Sequence, residues 1–355
     1  MGNPDEYRLS AWERSALIIP LQRLSALDGL MKIFGATIDG ECILPFFSIL
    51  YWCLDQHKCV AGIWLVPLSE AFNGIVKWRL RRARPAWTDP KVRLLSWTSE
   101  YSFPSSHSQL AWAIAHFMVA ASTHREAVTK SPALPCYAYA GLVALSRVHV
   151  GVHYPSDVVV GSAWGLASSM LYARLLPRVL PTLLRVLGGS EDGTRPPPAF
   201  TLLGALSLPL LLTAVSVALE YRRVMRERRK DEKRTEEQEA KWRQNACRGK
   251  YEKRELDPVK IPLGAYVSMC GVLAGLAVGE AFKQHVPLPY PATRKAALIR
   301  AVLGNVGLLA MFIGIAEMTP KRPFRLNQTL RFVRYALVPV YILLIAPTAF
   351  NRFGM

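Results

Sequence analysis

Acidic residues are scarce in this 355-residue chain: 26 Asp and Glu stand against 44 Lys and Arg, a formal net charge of +18 at pH 7. A balance this basic points to nucleic acid or to anionic lipid and phosphate as partners. No groove-reading module and no RNA-binding signature accompanies it. Nucleic acid is therefore not expected, and lipids and phosphate are. Charge of either sign is thin, at 20% of residues against 51% apolar, which excludes disorder as the general state. Cysteine is sparse too. None of Cys42, Cys53, Cys59, Cys136, Cys247 and Cys270 forms a CxxC or sits beside a histidine at zinc spacing, so neither a metal site nor a disulfide framework is expected. No internal repeat is present. Gly2 lacks a Ser or Thr at position 6, which argues against myristoylation, and no cleavable signal peptide is evident.

What the chain does have is apolar residues in long runs, with charge pushed into the gaps. A spanning helix needs about 20 mostly apolar residues. The candidates are 42–54 (short), 59–76, 106–122, 134–150, 155–177, 199–219, 259–282, 297–316 and 333–350. The expectation is an all-α polytopic bundle of eight to ten membrane segments, nine being favoured. Residues 11–37 are amphipathic and interrupted by Arg14, Arg23, Asp28 and Lys32, which suits an interfacial helix or a poor first span. Residues 220–256 hold 14 basic and 9 acidic side chains, and read as a solvated helix or a disordered loop. This one segment keeps the mean hydropathy down to +0.16. The expected organisation is an N-terminal segment 1–40, a membrane core 41–178, a linker and span 179–219, a charged loop 220–258 and C-terminal spans 259–355.

Three polar clusters fall at span ends. In the first, six residues separate Lys77 from Arg84-Pro85. If the span continues as a helix, the two cations lie two turns apart on one face, a phosphate clamp in which Arg grips oxygens bidentately and Lys adds a point charge. Taken alone, such residues are more often snorkelling anchors. In the second, Phe103-Pro104-Ser105-Ser106-His107 opens a span, where free backbone N–H groups and the helix dipole suit an anion. His107 could there protonate a leaving oxygen. In the third, Ser146-Arg147 precede His153 and Asp157, with Gly151 ending one span and Pro155 starting the next. Four residues apart, Asp157 could orient the imidazole of His153, and an oriented neutral imidazole is a competent nucleophile toward phosphorus. His149 departs from that face and reads as a bystander.

In order and spacing the three clusters resemble the tripartite signature of the type 2 phosphatidic acid phosphatase superfamily, over residues 40 to 177. The resemblance implies a six-helix catalytic core with extra C-terminal membrane helices. It further implies His153 as nucleophile, Asp157 as its orienter and His107 as general acid, with Lys77, Arg84, Ser105, Ser106 and Arg147 binding phosphate and no cofactor. Ser106 stands where the family often has Gly, and its hydroxymethyl group would narrow the pocket. Phe34-Gly35-Ala36, Glu41, Pro45-Phe46-Phe47, Tyr51-Trp52, Leu54-Asp55, Glu100-Tyr101-Ser102 and Leu330-Arg-Phe-Val-Arg-Tyr335 are similar to sphingosine-1-phosphate phosphatases. The activity implied is hydrolysis of a lipid phosphomonoester, a long-chain base 1-phosphate above all, through a phosphohistidine in the endoplasmic reticulum membrane. Polyprenyl (dolichyl) diphosphate phosphatases share the Pro-Ser-Ser-His-Ser-Gln run at 104–109 and are one alternative; a phosphatidate phosphatase is another. A transporter is the non-enzyme alternative, but it predicts ionisable residues at mid-span rather than at span ends. By the positive-inside rule the active-site side, with 220–256 and with Lys321, Arg322 and Arg325, would be cytosolic. The resemblance implies a lumenal or external site instead.

Overall fold

A computed structural model describes residues 4–122, 133–186, 199–319 and 324–354. Every regular element among them is helical. In chain order these are α1 (Pro4–Glu13), α2 (Asp28–Ala36), α3 (Gly40–Ile49), α4 (Gln56–Leu80), α5 (Pro85–Thr88), α6 (Ser106–Ser122), α7 (Ala133–His149), α8 (Pro155–Val186), α9 (Ala199–Lys230), α10 (Glu232–Ala246), α11 (Lys260–Phe282), α12 (Arg294–Glu317), α13 (Phe324–Val340) and α14 (Ala346–Arg352). Each apolar run expected to cross a membrane is helical. Among the described residues three helical stretches, Lys260–Phe282, Arg294–Glu317 and Phe324–Arg352, are long and apolar enough to do so by composition, and Cys42–Leu54 is a shorter apolar one. Residues 187–198, in the expected linker, and Lys321 and Arg322 lie outside the described residues.

The chain forms two compact units. The first comprises Met1–Gly40, Phe72–Met170 and Ala218–Leu263, and holds all three polar clusters. Its helices meet closely because small residues let them: a Cβ on Gly165 would strike the carbonyl of Gln109, and one on Gly161 would come within 2.5 Å of the carbonyl of Ser105. This Gly-xxx-Gly face of α8 seats the start of α6 against it, as small residues do between membrane helices. Below the clusters, Ile18, Ala86, Val92, Ala144, Val148, Tyr154 and Val158 form one apolar core that ties the N-terminal segment to α5, α7 and α8.

That segment is anchored by polar contacts as well. Gln22 receives the Arg93 N–H and donates to the carbonyls of Arg93 and His149, each at 2.8 Å. Asp28 pairs with Arg93 at 2.8 Å and with the buried His149 at 2.8 Å. The charged segment 220–256 is helical up to Lys230 and again over Glu232–Ala246, as one of its two readings required, but it is not freely solvated. Trp242 lies against Trp87 and Tyr101, Asn245 donates to the Trp87 carbonyl at 3.0 Å, and Arg248 donates to the Pro90 carbonyl at 3.2 Å. The half-buried Arg228 holds the buried Glu239 at 2.7 Å and Asp257 at 3.0 Å. The sequence reading missed this because the buried anchors are a few residues in a segment whose average is strongly polar.

The second unit comprises Glu41–Ala71, Leu171–Val217 and Gly264–Met355. Trp52 is its centre. The indole meets Tyr341 and Phe350 edge-on, sits against Gly304 and donates from Nε1 to the Ile342 carbonyl at 2.9 Å. The buried Arg300 gives its charge to backbone, donating to the carbonyls of Trp52 and Pro289.

Candidate active site

The three clusters converge, although not through the local geometry expected of the first. Helix α4 stops at Leu80, and Arg81 adopts φ +52°, the left-handed conformation. Arg84 is then extended, as the residue before a proline tends to be, and becomes the N-cap of α5. Lys77 and Arg84 therefore do not share a helical face. They meet because the chain turns back: Lys77 Nζ and Arg84 Nη2 both donate to the Tyr101 carbonyl, at 3.2 Å each. Lys77 also pairs with Glu100 at 3.3 Å, and Arg84 Nε donates to the Glu100 carbonyl at 2.6 Å. Burial works to raise the Glu100 carboxyl, but Lys77 and Arg84 more than offset it and hold it below the ordinary glutamate value. The Arg84 guanidinium, wholly enclosed, is pushed down by burial to about 10 and stays charged at neutral pH.

Arg84 defines the state of His153. Its Nη1 lies 3.0 Å from His153 Nε2, and a guanidinium can only donate. Nε2 is therefore the nitrogen without a proton, and the proton sits on Nδ1, which faces Asp157 Oδ2 at 3.5 Å. Burial, then Arg84, Lys77, Arg147 and His107 in that order, drive the imidazole far below its ordinary pKa. His153 is thus a neutral imidazole with its lone pair on the cationic side.

Asp157 lies farther from His153 than a hydrogen bond allows, and His153 Nδ1 has no hydrogen-bond partner. The wholly buried carboxylate is held by other groups. Oδ1 accepts from Arg82 Nη1 at 2.6 Å, and Oδ2 accepts the Tyr154 N–H at 2.8 Å and the hydroxyl of Ser102. The Tyr154 contact explains why the chain folds so here: Asp157 sits in the first turn of α8 and satisfies the N–H just before that turn. Arg82 in turn reaches Glu13 at 2.9 Å and Ser10 at 2.8 Å, and lies over the Tyr154 ring. Burial works against the Arg82 charge, but Asp157 and Glu13 raise its pKa above the ordinary arginine value.

The remaining expected residues fall as follows. Arg147 is buried at the end of α7, where the Gly35 backbone lies against its guanidinium, and its Nε has no protein partner. Its carbonyl accepts the N–H groups of Val152 and His153. His107 opens α6, and its Nε2 lies 2.9 Å from Asp39 Oδ1. Ser105 is fully buried and its hydroxyl pairs with that of Ser108 at 2.9 Å. Ser106 sends its hydroxyl to Asn73 Oδ1 at 3.3 Å. No hydrogen bond joins Ser105 or Ser106 to His153 among the described residues. His149 is occupied by Asp28. Gly151, at φ +78°, makes the turn that brings His153 back toward Arg84, and a Cβ there would strike the Arg93 carbonyl.

Asp39, Glu13, Arg82 and Glu100 belong to this site and were not singled out for it in the sequence. Arg82 lay within the first cluster without a role, and Glu100 was noted only as a lead-in to the second. Asp39 and Glu13 carry no local signal. Among the described residues no group of three or more His, Cys, Asp or Glu could hold a metal ion. Chemically, the site gathers three cations about one neutral imidazole, with a second imidazole nearby.

Comparison with known proteins supplies the class. A family model described as the PAP2 superfamily matches residues 60–180, and one described as PAP2 superfamily phosphatase, transmembrane extension, matches 267–355. Decaprenylphosphoryl-5-phosphoribose phosphatase of Mycobacterium tuberculosis is 36% identical over 158 residues, covering 43% of this chain and 80% of the relative. The chain belongs to the PAP2 superfamily, and its fold is the all-helical membrane bundle with a C-terminal transmembrane extension. Probable lipid phosphate phosphatase beta of Arabidopsis thaliana is 31% identical, covering 30% of this chain and 59% of the relative. Sphingosine-1-phosphate phosphatase 1 of Rattus norvegicus is 28% identical, covering 40% of this chain and 34% of the relative. The match thus spans about three-fifths of the plant relative and a third of the rat one. The crystal structure of Aquifex aeolicus LpxE aligns with a TM-score of 0.38 at 24% identity, covering 45% of this chain and 93% of that one.

Proposed function

We propose that the protein is an integral-membrane lipid phosphate phosphatase that works through a phosphohistidine on His153. The observation that carries this reading is the contact between Arg84 and His153 Nε2, with Lys77 beside Arg84 on the Tyr101 carbonyl. It supports the tautomer a nucleophile needs and a cationic setting for phosphoryl oxygens. In the proposed reaction a substrate phosphate oxygen takes the Arg84 N–H and frees the Nε2 lone pair. Nε2 attacks phosphorus as the P–O ester bond breaks, and His107 gives its proton to the leaving alkoxide. Water then attacks phosphorus, the P–N bond breaks, and His107 takes the water's proton. Ser106 contributes a backbone N–H of the α6 N-terminus, while the Ser105 N–H is given to the Asp157 carbonyl at 3.1 Å and ties that end of the helix to the His153–Asp157 turn. Asp157, locked by Arg82, faces the Nδ1 proton and stabilises the charge that develops on the ring. Asp39 holds His107 through Nε2, which leaves Nδ1 for proton transfer.

The substrate we propose is a long-chain base 1-phosphate such as sphingosine-1-phosphate, and the membrane that of the endoplasmic reticulum. Both rest on the finer likeness to sphingosine-1-phosphate phosphatases. A lipid-linked sugar phosphate or other polyprenyl phosphate is the second reading, favoured by the 36% identity to the mycobacterial relative. The catalytic core is assigned to 41–178, with 220–258 as its charged arm. Phosphate release from purified long-chain base phosphates, phosphatidate and polyprenyl phosphates tests the reading. Turnover of the first that disappears in His153→Ala is expected. Release that persists in His153→Ala would overturn it.

A further inference from the structure

Three arginines of α9 stand apart from the other charges around them. Arg222, Arg226 and Arg229 follow at intervals of four and three residues and so share one face. With Leu219, Tyr221 and Met225 they line an open groove of about 570 Å³. All three are exposed, and no carboxylate pairs with any of them among the described residues. The nearby carboxylates are engaged elsewhere. Glu220 takes Arg79 and Arg223, Glu227 takes Arg81 and Arg223, and Arg228 holds Glu239 and Asp257. Every charge that lines the groove is positive, and Leu219 and Met225 are its aliphatic side chains. Its place along the chain adds meaning, since the apolar run 199–219 immediately precedes it. From Arg222 to Arg229 the helix rises about 10 Å, comparable to the headgroup layer with the start of its counterion cloud.

We propose that this face binds the headgroups of anionic phospholipids. The three guanidinium groups grip the phosphate, and Leu219 and Met225 lie against the first carbons of the acyl chains. Arginines that merely snorkel would serve any phospholipid, whereas this site distinguishes net-negative headgroups from zwitterionic ones. The proposal does not depend on the reading of the active site.

The test titrates the purified full chain in detergent micelles with phosphatidylserine and separately with phosphatidylcholine, reading bound lipid by native mass spectrometry. The unaltered chain is expected to prefer phosphatidylserine. Each arginine changed to glutamine is expected to cost about fivefold, and the triple variant Arg222→Gln/Arg226→Gln/Arg229→Gln on the order of a hundredfold. A charge-matched control, Lys233→Gln/Lys241→Gln/Arg243→Gln on the exposed side of α10, is expected to keep the preference. Equal losses in both triple variants would reveal a diffuse basic field, and no loss in the groove variant would leave no site there. Either result overturns the proposal. So does full competition by soluble glycerophosphoserine at the lipid's own concentration, because the ligand would then be a free phosphate ester. Should the triple variant unfold, the three single variants carry the same test.

Discussion

Arg82 takes the role at Asp157 that spacing alone gave to His153. A carboxylate four residues from a histidine looks like its hydrogen-bonding partner, yet here it is bound by a guanidinium, a hydroxyl and a backbone N–H. Removing Arg82 leaves a buried, unpaired carboxylate, a loss of about 3–5 kcal/mol for a buried pair. Arg82→Ala is therefore expected to lower the thermal unfolding midpoint as well as activity, while Arg82→Lys, which keeps the charge, retains more of both. At His153 the sign of the pH response follows from its cations. They disfavour imidazolium, so the proposed nucleophile stays neutral at pH values well below the usual 6.5. Lys77→Gln removes one of them and lets the imidazole pKa rise. The acid limb of kcat/KM is then expected to move up in pH, and a limb that stays put or moves down would contradict the proximity of Lys77 to the ring. For Asp39→Asn the expectation is a fall in kcat of about tenfold to a hundredfold with KM nearly unchanged, as befits a group that holds the proposed general acid.

Between elements, two contacts set the site. One is the α6–α8 seam, where Gly161 and Gly165 admit the backbone of Ser105 and Gln109. Gly165→Leu cannot fit without separating the helices. Overpacking of this kind costs about 1–3 kcal/mol, and activity should fall further than stability because His107 and Asp157 ride on the two sides. The other is the arm. Trp242 packs on Trp87 and Tyr101, and the Tyr101 carbonyl is the acceptor shared by Lys77 and Arg84. Trp242→Ala is expected to lower activity about tenfold, with Trp242→Phe restoring most of it, as measured by phosphate release. That 220–256 would be charged and helical was legible from composition. That it closes over the motif loop was not, because Trp242 and Asn245 act through a residue some 150 positions away.

For the molecule as a whole, the arm packs directly on the loops that carry the first two clusters, Trp242 against Trp87 and Tyr101, and so lies on the same side of the membrane as they do. In sealed vesicles, an added protease that cuts within 232–258 should reach the population that also hydrolyses a membrane-impermeant short-chain substrate. An accessible arm with a latent site would break that link. The protease result also decides between the cytosolic side favoured by positive charge and the lumenal side favoured by the resemblance. Turnover should persist in EDTA, since Lys77, Arg84 and Arg147 supply the positive charge.

The residues of this sequence determined its helices and where they end. Long apolar runs leave backbone no alternative in a bilayer, and proline, glycine and serine mark the boundaries at Pro155, Gly151 and Ser106. They also determined which side chains have chemistry to offer, because His, Lys and Arg at span ends are conspicuous against so apolar a background. Only the tertiary structure decided which charge faces which. Arg84 meets His153 across 69 residues, Arg82 meets Glu13 across the same distance, and Asp39 meets His107 across 68. Electrostatic partnership depends on distance in space, and a helical chain records in its order only the neighbours one turn away.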